Sequence, residues 1–335
     1  MKKIINHPDR FVEEFMEGIT YAYGDQVKVL DEEKRILLRN LKEKPSKVGI
    51  VTGGGSGHLP MFLGYVGQGM LDGCAVGNVF ASPSSQKMFD MIKACDYGKG
   101  VLCLYGNYGG DNMNFSMACE MADFEDIPTA IVKVCDDVAS SPKETAERRR
   151  GVAGMVYAFK IAGAAAEEGK SLEEVAAVTE KALRGIRTMG VALTPCILPQ
   201  VGKPTFTIAD DEIEVGMGIH GEKGIEVSKM RTADEITKII LDKILADMAL
   251  TERDEVSVMV NGLGATPLEE QLIVYRAIAK TFENMGIKLF MPHIGEFATS
   301  MEMTGLSITV FKLDEELKRL LRAPASTPFY TNANK

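Results

Sequence analysis

Short apolar runs, each ending in a turn that contains glycine or aspartate, recur between residues 47 and 135, and a helical pattern follows them. The instances are SKVGIVTGGGSGH, KGVLCLYGNYGGDNMNFSMACEMA and PTAIVKVCDD. Strands that alternate with helices in this way favour a parallel sheet with helices on its faces. Ligands of such sheets bind beyond the carboxyl ends of the strands. We therefore expect His58 and Asp111, which follow two of these runs, to lie on one rim of the sheet.

The second half of the chain predicts another α/β unit. After an alanine-rich helical stretch, the segment TPCILPQVGKP contains three prolines and is typical of a linker. The segment TFTIADDEIEVGMGIHGEKG predicts a β-ribbon that turns at Asp210 and Asp211 and carries His220. Because 335 residues suit two domains, we expect a first α/β domain over residues 1–190, with a largely parallel sheet and helices on both faces. A second α/β domain over residues 191–335 should have a smaller sheet with helices and the ribbon.

Composition and charge exclude several classes of function. The net charge of −9, from 47 acidic and 38 basic residues, disfavours nucleic acid and membranes as direct partners, since both reward clustered Lys and Arg. No signal-peptide pattern and no long apolar run is visible, which predicts a cytoplasmic protein. The six cysteines lack a C-x-x-C pair and mostly lie in apolar runs. That pattern indicates free thiols rather than disulfides or a metal site.

The glycine-rich segment GGGSGH at residues 53–58 departs from each phosphate-binding motif that it approaches. A P-loop needs a lysine directly after its glycines, and none follows here. The dinucleotide fingerprint G-x-G-x-x-G and the nucleophile elbow G-x-S-x-G both fail at His58. Two interpretations stay open on these residues alone: a tight strand-to-helix turn capped by His58, or a turn that presents His58 to a ligand. Asp111 in GNYGGDN and His220 between the glycines of GIHGEKG favour the ligand.

Six segments resemble, in the same order, motifs of the dihydroxyacetone kinase family. They are GGGSGH (53–58), NYGGDNMNF (107–115), GVAG (151–154), GMGIHGE (216–222), NGLGATP (261–267) and MTGLSITV (303–310). The likeness extends over essentially the whole chain and is to the substrate-binding subunit of the bacterial type. An ordered series of motifs is far more specific than any single glycine cluster.

The resemblance implies roles for three residues. His220 would add to the ketone carbon of dihydroxyacetone and form a hemiaminal, as a neutral imidazole is a competent nucleophile near neutral pH. Asp111 would accept the proton of the hydroxyl that attacks phosphorus. His58 would hydrogen-bond the substrate and assist as acid or base. His293, outside these roles, is expected to be a structural histidine.

The resemblance also implies which residues line the substrate pocket, and two positions depart from it. Gly55, Ser56, Gly57 and Gly106 would bind substrate beside the three residues above. The residue after the turn histidine is usually glutamate in the family, and here it is Leu59. The residue before the NY motif is commonly lysine, and here it is Gly106. Losing that lysine would free room in the pocket, so we expect a divergent branch that accepts a longer ketose such as erythrulose, with unchanged dihydroxyacetone specificity as the alternative.

The resemblance finally implies partners. ADP or ATP and Mg²⁺ would be bound by a separate small helical subunit, rephosphorylated in bacterial systems from the phosphotransferase system, and this chain would hold no cofactor and no metal. A homodimer is expected. The other possible function is that of a ketose-sensing transcriptional coactivator without kinase activity, which some relatives of this subunit have.

Overall fold

The apolar runs of the first half become the strands of a six-stranded sheet. The structure, a computed structural model, describes residues 2–30 and 32–333. The strands are β1 (Val27–Val29), β2 (Ile36–Arg39), β3 (Gly49–Ser56), β4 (Gly73–Val79), β5 (Val101–Gly106) and β6 (Thr129–Val134). Their order is β1-β2-β4-β3-β5-β6, with β3 to β6 parallel and the edge strands β1 and β2 antiparallel. The largely parallel first sheet is therefore confirmed.

Helices cover both faces of this sheet. The α-helices of the described residues are α1 (Phe11–Tyr23), α2 (Ser85–Cys95), α3 (Gly109–Asp123), α4 (Met155–Glu167), α5 (Leu172–Arg184), α6 (Ala233–Asp247), α7 (Leu268–Asn284) and α8 (Glu315–Arg322). Successive strand residues point to opposite faces. Val51 and Cys103 share a core cluster with α2 and α3, whereas Ile50 and Leu102 share one with α4 and α5. Because both faces are covered, the central strands are apolar along their length.

The second sheet is mixed and contains seven strands. They are β7 (Ile186–Thr194), β8 (Glu212–Val215), β9 (Glu226–Lys229), β10 (Glu255–Gly262), β11 (Lys288–Leu289), β12 (His293–Glu296) and β13 (Thr304–Leu313). The order is β11-β10-β13-β7-β8-β9, and β12 also pairs with β10. A separate pair, β14 (Ala325–Thr327) and β15 (Tyr330–Asn332), ends the fold. The α/β class is confirmed, but the expectation of a smaller second sheet is wrong, because short strands at its edge raise the strand number to seven.

Two local predictions are wrong. The ribbon does not turn at the Asp210-Asp211 pair: β8 begins after it and pairs with β9, so the connection between the ribbon strands is the loop 216–225, which carries His220. The segment GGGSGH is not a strand-to-helix turn either, because β3 continues through Ser56 and a single 3-10 turn precedes β4. A Cβ on Gly54 would lie 2.3 Å from the Phe62 ring, so glycine here lets an aromatic side chain pack directly on the strand.

Helix α4 lies between the two sheets. All residues from Met155 to Ala166 are buried. They share a core cluster with residues of the first sheet and with Phe311 of β13, whose ring centroid is 5.1 Å from that of Tyr157. A Cβ on Gly163 would lie 2.4 Å from the Met70 Cα, so small residues let this helix approach the neighbouring chain closely. The predicted domain boundary at residue 190 falls inside β7, which pairs with the second sheet from Ile186 onward. The division of the chain into two domains at that residue stays a prediction.

Lys160 is a charged residue within this buried helix. It is 1% exposed, and its Nζ donates to the Leu320 carbonyl of α8 at 2.7 Å. Burial lowers the pKa of Lys160 to about 7, because the ammonium loses its hydration. An unfolded lysine keeps its proton up to a pKa of about 10.4. Between these values the unfolded chain binds more protons than the folded one, so folding becomes more favourable as pH rises.

Replacing Lys160→Met should therefore change how stability depends on pH. We expect the wild-type free energy of unfolding to rise relative to that of the variant by up to about 1.4 kcal/mol per pH unit between pH 7 and 10. Denaturant titrations at several pH values measure this difference. The exposed Lys99 gives a control variant, Lys99→Met, that should follow the wild type. Parallel curves for wild type and Lys160→Met would contradict the assignment.

Candidate functional site

Three segments distant in sequence meet at the carboxyl edge of the first sheet. His58 follows β3, and Asp111 lies in the first turn of α3, directly after β5. His220 arrives from the loop 216–225 of the second sheet. The ring centroids of His58 and His220 are 4.7 Å apart, and His220 is close enough to Asp111 to act on it electrostatically. The structure thus brings together the three residues for which the sequence predicts catalytic roles.

His58 is held in one protonation state. It is fully buried, stacks on Phe80 with ring centroids 4.8 Å apart, and has its Nδ1 2.7 Å from the Thr299 carbonyl oxygen. A carbonyl oxygen only accepts, so Nδ1 donates and Nε2 keeps its lone pair. Burial, together with the nearby His220, lowers the pKa of His58 to about 3. His58 is therefore neutral at neutral pH, and its Nε2 can accept a hydrogen bond but not donate one.

His220 is oriented by Glu222. The His220 Nδ1 lies 2.8 Å from the Glu222 carboxylate, which also accepts the His220 backbone N–H at 2.9 Å. Burial alone would raise the pKa of Glu222, but the hydrogen bond from His220 lowers it to about 2. In the neutral imidazole the carboxylate keeps the proton on Nδ1, so the lone pair is on Nε2. A Cβ on Gly218 would lie 2.1 Å from the Glu222 Oε2, so this loop needs glycine there.

Asp111 has the environment of a base. It is 7% exposed, and one of its oxygens, Oδ1, has no hydrogen-bond partner among the described residues. Burial raises the pKa of Asp111 to about 6, although the Ser82 hydroxyl donates a hydrogen bond to the carboxylate and His220 favours its charged form. Near neutral pH this carboxylate is still ionised, and it is a stronger base than an exposed aspartate.

The site contains several buried polar atoms without a partner among the described residues. They include Ser56 Oγ, His58 Nε2, Tyr108 Oη and Asp111 Oδ1. Buried polar groups in proteins are nearly always paired, because leaving one unpaired costs about 1–3 kcal/mol. Four such atoms around one place indicate a binding site for a small molecule with several hydroxyl or carbonyl groups.

The remaining predicted pocket residues lie in the same region. Gly55 and Ser56 are at the end of β3. The carbonyl of Gly57 accepts the Met301 N–H at 2.8 Å, and the backbone φ of Gly57 is +101°, a conformation that favours glycine. Gly106 is the last residue of β5. Contact of these residues with substrate stays a prediction.

The structure shows the surroundings of the two positions that depart from the family pattern. A Cβ on Gly106 would lie 3.1 Å from the Met155 Sδ and 3.2 Å from the Tyr108 ring. These side chains lie beside Gly106, and the room that an absent lysine would leave for a longer ketose stays a prediction. Leu59 is half-buried against the core, and its carbonyl accepts the Thr299 hydroxyl at 2.9 Å.

Comparison with known proteins decides the family. Residues 17–329 match the Dak1 domain. The chain belongs to the Dak1 domain family. It is 45% identical over 98% of its length, and 99% of the relative, to "PTS-dependent dihydroxyacetone kinase 1, dihydroxyacetone-binding subunit DhaK" of Listeria innocua. It is 40% identical over 98% of its length to "L-erythrulose kinase" of Pectobacterium atrosepticum, of which it spans 56%.

Solved structures agree with this Dak1 assignment. The chain superposes with a TM-score of 0.89 and 32% identity on the "Dihydroxyacetone kinase operon co-activator Dha-DhaQ". That match covers 96% of this chain and 98% of the other. These matches confirm the family resemblance that the six sequence motifs indicate.

Sequence reasoning missed four residues of the Dak1 site. Glu222 and Tyr108 could have been identified from the sequence, because both lie inside the quoted motifs. Glu222 is two residues from His220, and Tyr108 is three residues from Asp111. Ser82 carries no local signal. Thr299 carries none either, because its carbonyl meets His58 across 241 residues of chain.

The cysteines and His293 of the Dak1 chain lie in the surroundings that the sequence predicted. Its six cysteines are free, with Cys119 and Cys135 partly exposed and the others buried. The nitrogens of His293 face the hydroxyls of Tyr157 at 3.4 Å and Tyr330 at 3.1 Å, the contacts of a structural histidine. Within residues 2–30 and 32–333, no three His, Cys, Asp or Glu side chains are grouped so that they could bind a metal ion. None of the helices in these ranges has the length and apolar character needed to span a membrane.

The raised pKa of Asp111 can be measured directly. We expect its carboxyl to titrate near pH 6 in the folded protein, and Ser82→Ala to move the midpoint upward by about half a unit, because the charged form loses a hydrogen bond. Carbon NMR of labelled aspartate measures both midpoints, and Asp111→Asn identifies the signal. A midpoint near 4 in the wild type would show that the carboxylate is solvated rather than buried.

Proposed function

We propose that this Dak1 chain is the ketose-binding subunit of a dihydroxyacetone kinase-type phosphotransferase, which transfers a phosphoryl group to an alcohol. The ketose would be held covalently on His220 as a hemiaminal. One observation carries the proposal: Glu222 fixes the Nδ1 proton of His220, which leaves Nε2 available beside the unpartnered His58 Nε2 and Asp111 Oδ1. The printed names of the relatives support dihydroxyacetone or erythrulose as the ketose.

The capture step is an addition across the ketone. The lone pair of His220 Nε2 forms a bond to the carbonyl carbon, and the π electrons move to the carbonyl oxygen. The Nδ1 proton leaves past Glu222 to solvent while solvent supplies one proton to that oxygen, so the product is a neutral hemiaminal, Glu222 is again ionised and no atom is lost. Glycerol has no carbonyl and cannot react in this way. Covalent capture thus separates a ketose from the corresponding polyol.

The transfer step uses the other two residues. Asp111 Oδ1, the unpartnered carboxylate oxygen, accepts the proton of the ketose hydroxyl whose oxygen attacks phosphorus. The new oxygen–phosphorus bond forms as the bond between phosphorus and its donor breaks. His58 Nε2 accepts a hydrogen bond from another hydroxyl of the bound ketose. Because both acceptors are buried, they stay fixed in place rather than being solvated.

The phosphoryl donor belongs, in this proposal, to a separate subunit. A small helical partner would hold the ADP or ATP and Mg²⁺ and place the phosphoryl group in line with the ketose hydroxyl. The Listeria innocua relative supports this division, since its name describes a dihydroxyacetone-binding subunit of a phosphotransferase-dependent kinase.

A coactivator is the second candidate function. The structural similarity to a co-activator, with a TM-score of 0.89, favours it. A sensor would use the same covalent capture and bind a DNA-binding partner. The buried Asp111 favours the kinase, because ketose capture alone does not require a base next to a substrate hydroxyl.

Variants of two residues separate capture from transfer. We expect His220→Ala to abolish the adduct, since the nucleophile is lost. Asp111→Asn should keep the adduct and lower phosphorylation by roughly 10²-fold or more. Native mass spectrometry detects the bound ketose, and carbon NMR of a ketose labelled at its carbonyl detects conversion of the ketone to a tetrahedral carbon. An undiminished adduct on His220→Ala would refute the nucleophile.

The complete system distinguishes the substrate and the two functions. We expect the chain, combined with a helical nucleotide-binding kinase subunit, to phosphorylate erythrulose at least as fast as dihydroxyacetone, because the two positions usually occupied by Glu and Lys differ here. Steady-state assays with each ketose measure the ratio of kcat/KM. A strong preference for dihydroxyacetone would contradict the choice of substrate, whereas adduct formation without any phosphorylation would favour the coactivator.

A further inference from the structure

Arg150 joins the first sheet to the loop that carries His220. Its Nε donates to Asp137 Oδ2 at 2.9 Å, and its Nη2 lies 2.7 Å from the same oxygen. Nη2 also donates to the Gly216 carbonyl at 3.1 Å, and Nη1 lies 3.9 Å from Glu222 Oε2. Asp137 follows β6, so the contacts of one guanidinium connect the carboxyl edge of the first sheet to two points of the loop 216–225.

Within the second sheet the loop is fixed by backbone hydrogen bonds, among them Gly218 N–H to the Glu222 carbonyl at 3.1 Å and Ile225 N–H to the Val215 carbonyl at 2.8 Å, so Arg150 adds a link to the first sheet. Gly216, Gly218, Gly221 and Gly224 recur within it, and two of them have positive φ, +79° at Gly216 and +82° at Gly221. Glycines leave a free loop many conformations. The loop nevertheless has to present His220 to groups on the first sheet, and a misplacement of about 1 Å lowers the rate of such a reaction by about 10²-fold.

The guanidinium is shaped for this task. It is planar, keeps its charge at all relevant pH values, and offers several donors in fixed directions. A lysine ammonium in the same place has a single nitrogen, so it cannot span Asp137, the Gly216 carbonyl and Glu222 together. The side chains of Arg150 and Asp137 are only 15% and 3% exposed, so the pair is shielded from water and its geometry is well defined.

We propose that Arg150 is a positioning residue for ketose capture, which holds the His220 loop against the first sheet and balances the charge of Glu222. The inference deepens the proposed function and depends on it. Arg150 acts through Glu222 and Gly216 and does not touch the reacting atoms. Its neighbours in the basic run differ in role: Arg149 forms a buried ion pair with Asp247, and Arg148 is exposed, with 77% of its side chain accessible.

The test compares adduct formation in wild type, Arg150→Met and Arg150→Lys, with Arg148→Met as the matched control. Titration with dihydroxyacetone or erythrulose, followed by native mass spectrometry, gives the ketose concentration at half-saturation. We expect that concentration to rise roughly 10-fold or more in Arg150→Met and less in Arg150→Lys, and to be unchanged in Arg148→Met. The smaller loss in Arg150→Lys, which restores the positive charge beside Glu222, is the readout that a merely structural role would not give.

Loss of Arg150 also leaves Asp137 as a buried unpaired carboxylate. If Arg150→Met does not fold, the double variant Arg150→Met with Asp137→Asn removes that charge, and the same measurements apply to it. If neither variant folds, the half-saturating ketose concentration of Arg150→Lys tests the positioning role. Wild-type affinity in the folded variants would overturn the positioning role. Absence of a His220 adduct in the wild type would instead overturn the proposed function, so the two failures are distinguishable.

Discussion

The burial of helix α4 on all sides is the constraint on which the arrangement of the two sheets depends. The helix packs on β3 and β5 through one part of its surface and on β13 through another, and it leaves no room for the sheets to slide. Cores packed to this density resist small displacements. Since His58 and Asp111 belong to the first sheet and His220 to a loop of the second, the distances within the site follow from this packing. The packing of this alanine-rich helix thus determines the distances between His58, Asp111 and His220, although none of these residues belongs to the helix.

Both histidines of the site are oriented by a hydrogen bond at Nδ1. In both, Nδ1 faces a fixed acceptor, the Thr299 carbonyl for His58 and the Glu222 carboxylate for His220. The acceptors differ in charge, and the surroundings of the two rings differ in burial. Burial leaves His58 weakly basic beside a neutral carbonyl, whereas a partly exposed carboxylate places negative charge beside the His220 ring. Two identical side chains 4.7 Å apart are thereby given different chemistry.

Much of this was visible in the sequence because its signals are local. Apolar runs with glycine turns indicate the parallel sheet, and the GIHGE and NYGGD segments indicate His220 and Asp111. The capping box of Ser171 with Glu174 at the start of α5 is likewise formed by residues close in sequence. The partners of His58 could not be predicted, because Thr299 and Phe80 meet it only after folding. The ribbon connection was misjudged since Asp-Asp pairs favour turns in general, whereas the glycines of the loop 216–225 permit the longer connection that is present.

The hydrogen bond from His58 to Thr299 also ties the site to the order in which the chain is made. During synthesis His58 and Asp111 are added early and His220 much later. Thr299 is added only when about nine-tenths of the 335 residues have been polymerised. Until then His58 lacks the carbonyl that selects its tautomer, and β10 lacks β13 as a partner. A nascent or truncated chain therefore contains both histidines without the acceptor that orders the first of them, so the site is assembled only when synthesis is nearly complete.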